Sequence, residues 1–156
     1  MIDSPEALLQ VMRGIVYVGF VTLMSPEVVL ATGMGSCHDQ AILEYTELNR
    51  MGFNPIAKFI MSVDEDGQGE ETHSFVYYSI GNRWYWFENA WSDLAGIREY
   101  SSEAELIGSV MFAFGRRNGF DRLYLADLFP SEHTTGETLS DFVDICMNHA
   151  EEYVIE

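Results

Sequence analysis

The sequence predicts an α+β protein, an antiparallel sheet with helices packed on it, one of them an N-terminal helix carrying a cysteine. Three observations lead there. Helix-start signals come first along the chain. Strand-like segments rich in aromatic and β-branched residues follow, and then a helix, a strand and a helix, which is the segregated order of α+β chains. Gly81-Asn82, set between two strand-like segments, is a two-residue hairpin turn and makes those strands antiparallel neighbours. The chain has 156 residues and a hydrophobic fraction of 47%, enough for one sizeable core, so a single domain over residues 1–156 is expected.

Ser4-Pro5-Glu6 opens the first helix, with Ser4 as cap and Pro5 in the first turn. The apolar run from Gly14 to Met24 continues that helix or forms a strand, and is too short to span a bilayer. Ser25-Pro26-Glu27 repeats the start signal, and Gly33 and Gly35 break the short helix behind it. Cys37 to Met51 reads as a helix, since Ala41, Ile42, Tyr45 and Leu48 recur on one face and Cys37 belongs to that face. Gly52 ends it. Asn54 to Val63 is a strand, Asp64 to Glu71 an acidic loop, and Thr72–Ile80 with Arg83–Asn89 the hairpin. A helix over Glu103–Arg117 ends near Asn118-Gly119. A strand over Arg122–Leu128 precedes Pro130, and a closing helix is expected over Thr138–Tyr153.

The charge is −17, from 25 acidic and 8 basic residues. This speaks against direct binding of nucleic acid phosphates and favours solubility and cationic partners. The first residues, MIDSPEALLQ, lack a basic secretory segment, and two cysteines do not make a disulfide scaffold. A cytoplasmic protein with reduced thiols and no membrane association is expected.

Chemistry concentrates in GSCHDQA (Gly35–Ala41) and THSFVYYSIGNRWYWFENAW (Thr72–Trp91). Cys37 opens a helix, where unpaired N–H groups and the helix dipole favour thiolate over thiol. Gly35 and Ser36 let a substrate approach the backbone, and the Cys37 N–H can bind an oxyanion. If Gly81-Asn82 is a two-residue loop, Ile80 faces Arg83 and Ser79 faces Trp84. His73, Phe75, Tyr77, Trp84, Trp86 and Glu88 then share one face. Glu88 is the diagonal neighbour of His73, roughly 7–8 Å away along the backbone, and Asn89 points to the other face. A Cys-bearing helix on the His73 face would bring sulfur to imidazole. A cysteine, a base and a carboxylate that orients the base make an activated thiol nucleophile.

These residues resemble the transglutaminase-like superfamily, relatives of the papain-fold cysteine peptidases. There a cysteine opens a helix after a glycine-containing turn, a histidine sits in a strand before a small and an aromatic residue, and an acid ends the next strand. Gly35-Ser36-Cys37, His73-Ser74-Phe75 and Trp84-Tyr85-Trp86-Phe87-Glu88 match in order. Small bacterial and phage members are the most similar. Their Ser-Pro-Glu, Cys-x-Asp-Gln, Phe-Glu-x-x-Trp and C-terminal Gly-x-x-x-x-x-Phe patterns correspond to Ser25–Glu27, Cys37–Gln40, Phe87–Trp91 and the Gly136–His149 stretch. The resemblance thus covers most of the chain and implies a papain-like cysteine hydrolase core. Two positions depart from the pattern. His38 stands where an aromatic residue, often Trp, is usual, and Glu88 stands where Asp or Asn is usual.

The expected function is thiol-dependent acyl transfer on amide bonds of peptides or proteins: peptidase, amidase, deamidase or transamidase. Cys37, His73 and Glu88 are the catalytic residues, and Gly35, Ser36, His38, Gln40 and Trp86 lie at the substrate. No cofactor and no metal is required; Cys146 and His149, three apart, are too few ligands for zinc. Peptides, proteins or amines, cationic ones included, are the expected substrates. The alternative is a non-catalytic acidic binding or inhibitor protein on the same fold, one that imitates nucleic acid and suits a phage setting. On that reading Cys37 is a small buried hydrophobe, His73 a satisfied sheet histidine and Glu88 an edge carboxylate.

Overall fold

The computed structural model describes residues 2–19, 21–119, 122–133 and 136–155. Helices α1 (Pro5–Met12) and α2 (Pro26–Thr32) begin at the two Ser-Pro-Glu signals. Ser4 Oγ accepts the Ala7 N–H at 3.1 Å and Ser25 Oγ the Val28 N–H at 3.3 Å, so each serine satisfies a first-turn donor. Gly33 stops α2 in the left-handed region, at φ 69°. Within the apolar run, Val16–Tyr17 forms β1, which pairs in parallel with β2 (Met34–Gly35); Phe20 of that run lies outside the described residues. Helix α3 (Cys37–Arg50) follows β2 at once.

The main sheet is antiparallel throughout. It holds β3 (Ile56–Val63), β4 (Gly69–Ile80), β5 (Arg83–Glu88), β6 (Gly96–Tyr100), β7 (Arg122–Leu128) and β8 (Glu151–Tyr153), in the order β6-β5-β4-β3-β7-β8. Helix α4 (Glu103–Asn118) joins β6 to β7, and α5 (Leu139–Met147) precedes β8. The hairpin has the expected register, with Ile80 opposite Arg83 and Ser79 opposite Trp84.

Three expectations change. The closing helix stops at Met147, and Glu151–Tyr153 adds to β7 as an edge strand. Pairing satisfies the outer backbone groups of β7 and outweighs the modest helix preference of this segment. The acidic loop shrinks to a turn because the Asp64 carboxylate accepts the Asp66 and Gln68 N–H groups, so β4 starts at Gly69. The third change concerns the sheet faces. Leu43 and Leu48 of α3 pack with α1, α2 and α5 against Phe59, Val76, Tyr78 and Phe87. The other face carries Ile60, Phe75, Tyr77 and Trp86 under Leu106, Val110, Met111 and Phe114 of α4. His73 alternates with Ser74 and shares the parity of Phe75 and Tyr77, so it belongs to the α4 face and not to the α3 face.

Cys37 nevertheless reaches His73 because the sheet is incomplete there. The β4–β5 ladder runs only from Ile80↔Arg83 to Val76↔Phe87, whereas β4 stays paired with β3 down to Gly69. The first half of β4 therefore has a strand on one side only. Beside that gap the α3 N-terminus meets the imidazole. No described helix is long and apolar enough to cross a membrane.

Candidate active site

Ser36 and Asp39 build the turn that presents Cys37. Ser36 Oγ accepts the Asp39 N–H at 3.2 Å, and Asp39 Oδ2 accepts the Ser36 N–H at 3.0 Å, a reciprocal capping box. Asp39 Oδ1 accepts the Met24 N–H at 2.9 Å, which ties the turn to the segment before α2. Asp39 is 1% exposed, and its two oxygens are met by the Met24 and Ser36 N–H groups and by the Ser36 hydroxyl at the helix N-terminus. A methyl group on Gly35 would meet Asp39 Cβ at 3.1 Å, so only a residue without a side chain fits this bend comfortably.

His73 is 1% exposed and Glu88 3%. His73 Nε2 lies 2.9 Å from Glu88 Oε1, and Glu88 Oε2 accepts the Trp91 N–H at 3.0 Å. Glu88 thus occupies Nε2 and leaves Nδ1 for sulfur. Cys37 and His73 interact both through charge and through a side-chain hydrogen bond. The Trp91 ring lies flat on the imidazole at 3.8 Å between centroids and 10° between planes. Arg117 covers the outer face of Trp91 at 4.8 Å and is pinned by Asp93 at 2.7 Å. Water is thereby kept from the His73–Glu88 pair on the indole side.

Burial pushes the Cys37 thiol up, but His38 and His73 beside it outweigh burial and bring it down to about 5. Burial pushes the His73 ring down, and Glu88 foremost, then Cys37, raise it to about 9. Between those values the favoured pair is thiolate and imidazolium, a strong nucleophile beside a ready acid. Glu44, two turns along α3, is buried; burial first and then the charges of Glu88 and Cys37 push its carboxyl well above the usual range.

The structure places Cys37, His73 and Glu88 in one connected cluster. It treats the residues expected at the substrate differently. His38 is 2% exposed, with its two ring nitrogens 2.6 Å from Ser74 Oγ and 3.0 Å from Thr72 Oγ1 on the opposite sheet face, and it also interacts with the Cys37 sulfur by charge and a side-chain hydrogen bond. Gln40 Nε2 donates to the Gly35 carbonyl at 3.0 Å, and its Oε1 accepts from Asn89 Nδ2 at 2.7 Å. Trp86 is buried beneath α4. Ser36 and Gly35 are buried in the turn. Trp86 lines a surface pocket with Asp93, Leu94, Arg98 and Tyr100, on the α4 side of the sheet, while the other residues hold the α3 N-terminus or the sheet. Asn89 turns away from His73 as expected, and it also donates to the Met12 carbonyl at 2.8 Å, locking the end of β5 to α1 and α3.

Two residues were not anticipated at the site. Trp91 enters the sequence reading only as the end of the Phe-Glu-x-x-Trp pattern, and its place on His73 is signalled only by its position three residues after Glu88. Tyr17, which hydrogen-bonds the Cys37 sulfur, had no signal, because its contact depends on the β1–β2 pairing. Among the described residues no group of three or more His, Cys, Asp or Glu could hold a metal ion. Both cysteines are free thiols. No family model matches this chain, and no match to it was found among curated proteins.

Proposed function

We propose that this chain is a thiol-dependent acyl-transfer enzyme acting on amide bonds of peptides or proteins, with a transglutaminase-like, papain-related core. One observation carries the reading. Cys37, His73 and Glu88 form a continuous buried series in which the thiol is lowered and the imidazole raised. A structural histidine has no need of a carboxylate on one nitrogen and a thiol on the other. The matching order of motifs along the chain supports the same reading.

Cys37 Sγ adds to the amide carbonyl carbon. His73 then gives its proton to the departing nitrogen as the C–N bond breaks, leaving a thioester. Water, deprotonated by His73, attacks the thioester and releases the acid with the thiolate. An amine in place of water gives transamidation. Hydrolysis and transamidation differ only in whether water or an amine meets the thioester, and transamidation requires water to be excluded from it. The surplus of 25 acidic over 8 basic residues suits a cationic substrate.

Iodoacetamide tests this. Near neutral pH it should alkylate Cys37 far faster than Cys146, whose thiol burial and Glu137 raise to about 12. His73→Ala should slow Cys37 alone. Equal and sluggish alkylation of both thiols would leave the acidic binding protein as the better reading.

A further inference from the structure

We propose that the Tyr17 hydroxyl is the second oxyanion donor of this site, acting with the backbone N–H of Cys37. The inference rests on the acyl-transfer reading and names a catalytic residue for it.

A tetrahedral intermediate needs two donors aimed at its oxygen. The Cys37 N–H is one, since the first-turn amides of α3 have no intrahelical acceptor and the capping box takes only that of Asp39. The other polar side chains near the sulfur are already committed. Gln40 donates to Gly35, and Asn89 donates to Met12 and Gln40. His38 also interacts with the sulfur, but its ring is 2% exposed and both its nitrogens face hydroxyls, so it does not meet an incoming carbonyl. The Trp86 indole N–H is buried without a partner, but its ring sits in the core under α4.

Tyr17 is placed differently. The parallel pairing of β1 with β2 sets Tyr17 opposite Gly35, two residues before the nucleophile. The Val18 N–H donates to the Gly35 carbonyl at 3.2 Å and fixes that alignment. Its hydroxyl bonds the Cys37 sulfur, while the residue as a whole is 56% exposed. It therefore stands at the mouth of a nucleophile that is itself only 5% exposed. The neighbouring negative charge of Cys37, then burial, hold the phenol proton on up to about pH 12, so Tyr17 is a donor throughout the working range.

The chemistry follows the charge. When sulfur adds to the carbonyl carbon, the C=O electron pair moves to oxygen, and the negative charge leaves sulfur for an atom two bonds away. The Tyr17 O–H that served the thiolate then serves the oxyanion. Collapse returns the pair to C=O and expels the nitrogen, which takes the His73 proton.

Tyr17→Phe tests the assignment with two reagents at about pH 8. p-Nitrophenyl acetate forms an oxyanion on Cys37, and iodoacetamide does not. The variant should acylate about 10²-fold more slowly with the ester, the loss typical of one missing donor, and alkylate within a few-fold of the parent. Because Tyr17 is mostly exposed, the fold should persist, and an unchanged unfolding midpoint checks this. Equal changes with both reagents, or no change with either, would overturn the assignment while leaving the triad standing. A parent protein whose Cys37 reacts with the ester no faster than a simple thiolate would overturn both.

Discussion

Glu88→Gln isolates the electrostatic part of the site. The amide keeps the length of the side chain and an oxygen that accepts from His73 Nε2, and it removes the charge. His73 stands at about 9 against an ordinary 6.5, which at 1.36 kcal/mol per pH unit means that its surroundings favour the imidazolium by roughly 3 kcal/mol. Glu88 is the largest favourable cause, and burial opposes it. With the charge gone, burial is opposed chiefly by Cys37, and the ring should titrate well below 9, toward its ordinary value. As the ring approaches 6.5, the imidazolium fraction at about pH 7.5 falls from nearly all toward about a tenth. The Cys37 thiolate loses a neighbouring cation and becomes less favoured. Titrating the His73 ring by NMR, with thiolate absorbance followed in parallel, reads both shifts. Ester hydrolysis should lose its alkaline limb near pH 9 and fall at least tenfold near pH 7.5. An unchanged His73 titration in a folded Glu88→Gln variant would refute the reasoning, because it would mean that Glu88 does not set the proton on the ring.

Asp39→Asn should destabilise the chain by about 2 kcal/mol in urea unfolding, since a buried carboxylate that accepts from Met24 and Ser36 loses charge and part of its acceptor capacity. Cys37 alkylation should slow with it as the turn loosens. The pair also sets a pH signature of stability. The raised His73 contributes stability that is full below 6.5 and lost through about 9; the lowered Cys37 contributes stability that is full above 9 and lost as pH falls through about 5. In the parent the two slopes cancel between 6.5 and 9. Cys37→Ala should therefore lose stability as pH rises across that window, by at most ~1.4 kcal/mol per pH unit. Urea midpoints measured at several pH values would show a flat parent and a falling variant; parallel curves would contradict the ion pair.

Local signals in the chain were readable where a short-range rule decides the outcome. Ser4-Pro5-Glu6 and Ser25-Pro26-Glu27 become caps because a side-chain oxygen three residues ahead satisfies a backbone donor whatever lies elsewhere. The Gly81-Asn82 turn fixes the hairpin register, and from that register alone His73 and Glu88 share a face. Segments whose structure depends on distant partners were not readable. Glu151–Tyr153 is a strand because β7 offers it an edge, and Gly96–Tyr100 is a strand because β5 does. His38 is next to Cys37 in the chain and interacts with its sulfur, but its ring is buried against Ser74 and Thr72 rather than set in a cleft.

The order of residues by itself determined an acidic α+β chain with a cysteine at a helix start and a histidine and glutamate on one hairpin face. Those features depend on caps, turns and strand alternation, interactions that span a few residues. Only the tertiary structure decided that α3 lies on the sheet face opposite His73, that β5 stops short and leaves a gap, and that sulfur meets the ring there. It also decided that Trp91 covers the imidazole and that Tyr17 reaches the sulfur. These contacts join segments far apart in the chain, and packing rather than local preference selects them.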